Sequence, residues 1–256
     1  MKEKDDKILL AQVSDKIEMC ENKNKIEYTD FLDLAQIELV QNYIDKLKIE
    51  NYMSYGGFEQ AERKMFVIYP EKFNSTVVEK NLASIVKIVR IQLPDELKGK
   101  YTHRDYLGAL LNLGVDRSVV GDILIKDKEA WFFCLHKMSD FFIENLIRVK
   151  HTTVLVSRVK QAEEIPEPEF EMTNGTCASV RLDALIGLAF QTSRSSMVSF
   201  IESGLVFVNG KLITSNGYEP KEGDIISVRG KGRFIYDGVS RQTKKGRLGV
   251  RIRKYV

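Results

Sequence analysis

SRSSMVSFIESGLVFVNGK, Ser193 to Lys211, is the stretch from which the fold of the C-terminal part can be read. Ser193 is a helix N-cap residue, Met197, Val198 and Ile201 share the inward face of the short helix behind it, and Gly204 supplies a left-handed stop. LVFV follows as an apolar strand. It runs into Asn209-Gly210, the dipeptide that best tolerates the positive φ angles of a two-residue type I′ hairpin turn, and KLI begins the return strand. Such a unit is either scaffold, or it presents the arginine at its helix tip and the lysine at its turn to something negatively charged.

The neighbouring segments complete a small domain over 180–256. RLDALIGLAF reads as a first helix, GYEPKEGD as a second turn, and IISVRGKGRFIYD as further strand. RLGVRIRKYV alternates Leu248, Val250 and Ile252 with Arg247, Arg251 and Arg253, so one strand face is buried and the other basic. Charge separates this domain from the rest. Residues 1–180 carry 25 basic and 30 acidic side chains, whereas residues 181–256 carry 14 basic and 6 acidic, and eight of those fourteen are arginines. A basic domain joined to a mildly acidic body is the electrostatic footprint of a nucleic-acid binder, and the planar guanidinium fork suits phosphate. Arg194 and Ser195 sit at a helix N-terminus, where unpaired N–H groups and the helix dipole favour a phosphate. Arg229-Gly-Lys-Gly-Arg233 places three cations on a loop with little side-chain bulk. For Arg181 the alternative is a salt bridge with Asp183.

The preceding 180 residues divide further. ILLAQVSDKIEMC and YTDFLDLAQIELVQNYIDKL repeat at close to 3.6 residues, the second with Thr29 and Asp30 as cap candidates, and YGGFEQAERKMFVIYP adds a Gly-Gly break, a short helical piece and a strand. Residues 1–75 are therefore expected to be mainly helical. Over 76–160 the order is strand ASIVKIVRIQL, helix HRDYLGALLNLG, strands GDILI and AWFFCLH, helix SDFFIENLIRV behind Ser139, and strand TTVLVSRV. That order is βαββαβ, the ferredoxin-like unit shared by many RNA-recognition modules. The aromatic signature of those modules is not intact, and Trp131, Phe132 and Phe133 are either base-stacking residues or core. QAEEIPEPEFEM, with two prolines and five glutamates, reads as an acidic connector over 161–179. The fold class expected is α+β throughout.

Several chemistries lack sequence support. Cys20, Cys134 and Cys177 are far apart, His103, His136 and His151 are equally scattered, and neither metal nor cofactor is expected. Apolar runs such as LVFV and WFFCL fall far short of the ~18–20 residues of a membrane span, and MKEKDDKILL lacks an export signal's apolar core, so the cytoplasm is the expected location. The HRD at His103 is followed by Leu110 where a kinase loop needs asparagine, and no glycine-rich cofactor turn links a strand to a helix. No catalytic residue is assigned.

RLD, SRSSM, IESGLVFVNGK and EGDIISVRGKGRF, in this succession, resemble the RNA-binding domain named after the small-subunit ribosomal protein S-four. That resemblance implies a basic groove for structured RNA, with Arg181, Ser193, Arg194, Ser195, Lys211, Arg229, Lys231 and Arg233 on or near it; Lys244, Lys245, Arg247 and Arg251 of the basic tail extend the set. GGFEQAERK and THRDYLGALLNLGVDRSVVGDILI resemble the YlmH family of bacterial proteins over nearly the full length. The family implies a non-enzymatic protein that binds rRNA or tRNA on the large ribosomal subunit, acts in quality control of stalled chains and is linked to cell division; a monomer is expected. The competing readings are an RNA-modifying enzyme, because RLD also surrounds the catalytic aspartate of some pseudouridine synthases, and a protein-interaction adaptor working through the N-terminal helices.

Overall fold

A computed structural model describes residues 2–97, 101–159, 165–167, 169–243 and 246–255, with the backbone alone for Lys2 and Arg194. The chain forms two compact units, Met1–Glu167 and Pro168–Val256.

The first unit opens with α1 (Lys2–Lys23), β1 (Glu27–Tyr28), α2 (Leu34–Leu47), β2 (Tyr52–Tyr55) and β3 (Met65–Ile68). The helical pattern of the sequence holds, with Val13, Ile17 and Cys20 of α1 and Val40 and Ile44 of α2 meeting Phe66 and Ile68. A three-stranded antiparallel sheet, β1-β3-β2, is added to the two helices. The α2 cap is Asp33 rather than Thr29 or Asp30: Asp33 Oδ1 accepts from the Gln36 backbone N at 2.9 Å, and Gln36 Oε1 accepts from Asp33 N at 2.9 Å. Thr29 instead accepts from Phe66 N and fastens β1 to the sheet. The expected helical piece within FEQAERK is a loop. Glu62 N and Arg63 N donate to Asp122 at 2.6 and 3.2 Å, and the Arg63 guanidinium donates to the carbonyls of Val120 and Phe31, so long-range partners replace helical ones.

After it come α3 (Ser75–Ile85), β4 (Val86–Gln92), α4 (His103–Leu111), β5 (Val120–Lys126), β6 (Glu129–Leu135), α5 (His136–Asn145), β7 (Arg148–Val149), β8 (Thr152–Thr153) and β9 (Leu155–Arg158). α3 takes residues read as loop and strand, because Asn74 caps it at Val77 N and Val78, Leu82 and Ile85 recur at helical spacing. Strand order β5-β6-β4-β9, antiparallel throughout, is the ferredoxin-like arrangement expected from the sequence. α5 starts three residues before Ser139, whose buried hydroxyl donates to the His136 carbonyl and accepts from Arg158. TTVLVSRV divides at Val154, its first part pairing with β7 and its second with β4.

Both faces of this four-stranded sheet are covered. α4 and α5 bring Tyr106, Leu110 and Phe142 onto Val89, Ile91 and Phe132. On the other face Phe133 and Leu135 pack against Phe31, Met65, Val67 and Leu82. Phe58 stacks on the Phe133 ring at 5.0 Å, and a Cβ on Gly57, whose φ is +103°, would stand 2.1 Å from that ring. Trp131, Phe132 and Phe133 are 6%, 0% and 0% exposed. All three are core, and none offers a ring to a base.

The second unit comprises β10 (Phe170–Cys177), α6 (Leu182–Ala189), α7 (Arg194–Glu202), β11 (Val206–Val208), β12 (Lys211–Leu212), β13 (Ile225–Val228), β14 (Gly232–Gln242) and β15 (Leu248–Tyr255). The strands form one antiparallel sheet in the order β10-β15-β14-β13-β11-β12. Leu182, Leu185 and Ile186 of α6 and Met197 and Ile201 of α7 pack on Val206, Ile226, Phe234, Val250 and Ile252 of the sheet. The connector expected over 161–179 is, from Phe170 on, a strand: β10 pairs with β15 from Phe170↔Tyr255 to Cys177↔Leu248. Buried Cys177 anchors its end, Leu188 fills the space above Gly175, and Glu171 meets Lys254 Nζ at 2.7 Å, so a glutamate read as linker charge is a cross-strand partner. Connector positions 161–164 and 168 lie outside the described residues.

A fragment covering 166–256 is therefore expected to fold alone, whereas 180–256, which lacks β10, should melt about 10 °C lower or not fold, since ~1 kcal/mol is worth ~4–8 °C in a domain of this size. Circular-dichroism melting of the two fragments checks this; equal midpoints would show that β10 is dispensable.

Candidate nucleic-acid interface

The hairpin turn is held by a lock between two distant motifs. Asn209 and Gly210 have φ values of +47° and +74°, as a type I′ turn requires. The Asn209 side chain donates from Nδ2 to Asp224 Oδ1 at 2.8 Å and accepts at Oδ1 from Ile225 N at 2.9 Å. Asp224 Oδ2 accepts from Lys221 N at 2.8 Å. Buried Asp224 thus has one carboxylate oxygen satisfied by the hairpin turn that it fixes and the other by its own turn, and the NG and EGD motifs are two halves of one device. Lys211, directly opposite Val208, is exposed and stands on the side of the sheet that the helices cover.

At the start of α7 the Ser193 hydroxyl accepts from Ser196 N at 3.3 Å and lies 3.2 Å from the Ser195 hydroxyl. Arg194 is the first residue of that helix, and its side chain lies outside the described part of the structure. Arg181 precedes α6 and turns back on Asp183, with Nε 3.3 Å from Oδ1 and Nη2 3.4 Å from Oδ2. The salt-bridge alternative is thus the observed geometry, and Asp183, 4% exposed, is sunk beneath it.

The three cations between Arg229 and Arg233 do not converge. Lys231 Nζ lies 5.2 Å from the ring centroid of Phe200 on α7. Arg229 instead covers Phe207 at 4.9 Å, and Arg233 covers Tyr255 at 4.3 Å. Val206 and Val208 are buried toward the helices, as are Val250 and Ile252, so Phe207, Arg251, Arg253 and Tyr255 alternate onto the opposite sheet face. Arg253 lies 5.2 Å over Phe170 and donates from Nε to both Asp237 oxygens, which raises the pKa of its guanidinium. Arg247 is committed to β10, donating to Thr176 Oγ1 at 3.2 Å and to the Thr176 carbonyl at 2.8 Å. Lys244 and Lys245 lie outside the described residues. Sequence reading named the cations of this domain but not Phe170, Phe207 and Tyr255; the period-2 alternation of VFV and RIRKYV was the signal for the last two.

Elsewhere, several titratable groups are engaged or buried. Asp105 accepts from Thr102 N at 2.8 Å and Thr102 Oγ1 at 2.9 Å, and pairs with Lys150 Nζ at 2.8 Å. The lysine first, then the threonine contacts, hold its carboxyl below the usual carboxylate range. Burial pushes the Cys134 thiol up to about 12, which keeps it protonated and unreactive at neutral pH. A cleft of about 870 Å³ beside α1 is lined by Arg63 and Arg117, whose guanidinium groups already donate to the carbonyls of Phe31, Val120 and Gly121. Burial, and then the like charge of Arg63, lowers Arg117 to about 10. Among the described residues no His, Cys, Asp and Glu cluster is placed to hold a metal, and no helix is long and apolar enough to cross a membrane.

Asp105→Asn is expected to leave RNA binding unchanged and to lower the melting temperature at pH 7. Because the folded-state pKa is depressed, the stabilisation is complete above the unfolded value of ~3.9 and is lost as pH falls through the lower folded value, so wild type and variant should converge in acid. Melting curves across pH 2–7 check this. A loss of RNA binding in the folded variant would contradict a purely positional role.

Residues 83–163 match the family model described as the putative RNA-binding domain in YlmH, and residues 180–226 match the S4 domain. A curated relative, ribosome-associated protein quality control protein P2 of Bacillus subtilis strain 168, is 26% identical over 248 residues, covering 96% of this chain and 94% of the relative. A solved structure, cell division protein ylmH from Streptococcus pneumoniae, aligns at a TM-score of 0.50 and 21% identity over 63% of this chain and 95% of that chain, a likeness of fold. With both domain models matched in order and a relative aligned over almost its whole length, the chain is similar to YlmH-type proteins and carries an RNA-binding S4 domain.

Proposed function

We propose that this chain is a non-enzymatic, monomeric, cytoplasmic RNA-binding protein that grips structured RNA on the large ribosomal subunit, rRNA or tRNA, and serves the quality control of stalled chains. The observation that carries this reading is the helix-side surface of the C-terminal unit. There the α7 N-terminus with Ser193 and Ser195, the cation of Lys231 held against Phe200, and Lys211 on its locked hairpin belong to a domain with 14 basic and 6 acidic residues. Helix-terminal N–H groups, hydroxyls and cations together are a phosphate grip, and none of them requires a particular base. The ribosome-associated name of the Bacillus subtilis relative supports the ribosomal assignment, and the cell-division title of the Streptococcus pneumoniae structure supports a link to division.

Catalysis is the weaker reading. The aspartate that a pseudouridine synthase would use corresponds to Asp183, which is buried and paired with Arg181. An adaptor role through the N-terminal helices is weakened because Val13, Ile17, Val40 and Ile44 are consumed by their own core.

Co-sedimentation with ribosomal particles at rising salt tests the proposal. Neutralising roughly five phosphates gives a log–log slope of about −3.5 to −4.5. Lys211→Ala combined with Lys231→Ala should reduce that slope by about 1.4 to 1.8, the share of two phosphates, with little change in melting temperature. Binding that is indifferent to salt and to both substitutions would overturn it.

A further inference from the structure

The face of the six-stranded sheet opposite α6 and α7 has a composition that a simple solvated face does not need. Three aromatic rings, those of Phe207 on β11, Tyr255 on β15 and Phe170 on β10, each lie under an arginine: Arg229, Arg233 and Arg253 respectively. Phe170 and Tyr255 are also in contact with one another, with centroids 4.9 Å apart. Arg251 projects from the same face, and Met172, 56% exposed, stands opposite Arg253 across the β10–β15 pair. Asp237, which brings acidity to this face, is taken up by Arg253.

An arginine lying flat on a ring keeps its N–H donors at the edge of the guanidinium plane, so stacking fixes the side chain without consuming the groups that bind phosphate. Aromatic surface interleaved with arginine is what unpaired nucleotides require: every base has a π-face, and the backbone phosphates follow alongside. A duplex hides those π-faces. From β11 to β15 the surface crosses three interstrand steps of ~4.8 Å, or about 14 Å, enough for more than one nucleotide. Phe170 and Tyr255, together with β14 and β15, lie beyond the residues 180–226 matched by the S4 model, so this surface is built largely by strands outside that match.

We propose that the sheet face formed by Phe170, Phe207 and Tyr255 with Arg229, Arg233 and Arg251 is a second RNA surface, specific for unpaired nucleotides and distinct from the helix-side grip. This inference rests on the reading of the chain as an RNA binder and adds to it a class of RNA that the helix side does not select.

The test uses the full chain and two probes, a short fluorescent oligouridine and a blunt stem-loop closed by a tight loop. Phe207→Leu combined with Tyr255→Leu keeps apolar bulk and removes the π-faces; it should weaken oligouridine binding by about 10-fold or more while changing stem-loop binding by less than about 2-fold. Arg251→Ala, at an exposed position, should weaken oligouridine binding several-fold with an unchanged melting curve. Oligouridine affinity that is equal in wild type and in both folded variants overturns the proposal. Wild type that binds the stem-loop but not oligouridine overturns it too and leaves the helix-side reading standing; wild type that binds neither probe refutes that reading as well. Should polyglutamate bind and be lost in the double variant while oligouridine binding persists, the face belongs to an acidic protein partner instead.

Discussion

Strand β6 is apolar on both sides, and most of the first unit follows from the need to cover it. In an ordinary antiparallel sheet of this kind, helices shield one face and the other meets solvent or a ligand. Here Phe132 and Cys134 point to α4 and α5, while Phe133 and Leu135 require an equally dry environment on the other side. The N-terminal segment provides it. Gly57 and Gly121 leave room for the Phe133 and Phe31 rings, Phe58 stacks on Phe133, and the Asp122 carboxylate binds the loop that carries Glu62 and Arg63. A face that exposes its rings in many RNA-recognition modules is therefore an interior in this protein.

On the proposed reading, RNA contact then falls to the C-terminal unit. There the alternation along β11, β13, β14 and β15 puts apolar residues, with Phe234 and Tyr236 among them, toward two helices and leaves arginines with Phe207 and Tyr255 on the opposite face. The Asn209–Asp224 lock makes the hairpin a rigid part of the sheet, so Lys211 is presented from a fixed turn. The strain of positive φ at Asn209 is met by hydrogen bonds on both ends of its amide to the Asp224–Ile225 segment.

Much of this was legible in the sequence because the local signals agreed with the tertiary result. The cap at Ser193, the stop at Gly204, the Asn209-Gly210 turn and the βαββαβ order each have a short-range cause. What escaped reading depends on partners far along the chain. The segment 170–177 is rich in polar residues and becomes a strand only because β15 offers a complete antiparallel edge. The FEQAERK segment has helical composition but gives its N–H groups to Asp122, some sixty residues away. Among candidate site residues, the cations were identifiable by charge, whereas their division between two faces of one domain was set by strand register.

Trp131 is the lone tryptophan and lies on the closed face of the middle sheet, 6% exposed, which makes its fluorescence a reporter of that closure. Acrylamide quenching of the full chain, free and saturated with RNA, should show a shielded tryptophan whose emission does not change on binding. Strong quenching by acrylamide in the free protein, or loss of emission when RNA is added, would mean that the sheet opens to its ligand and that the first unit, not the C-terminal one, stacks the bases.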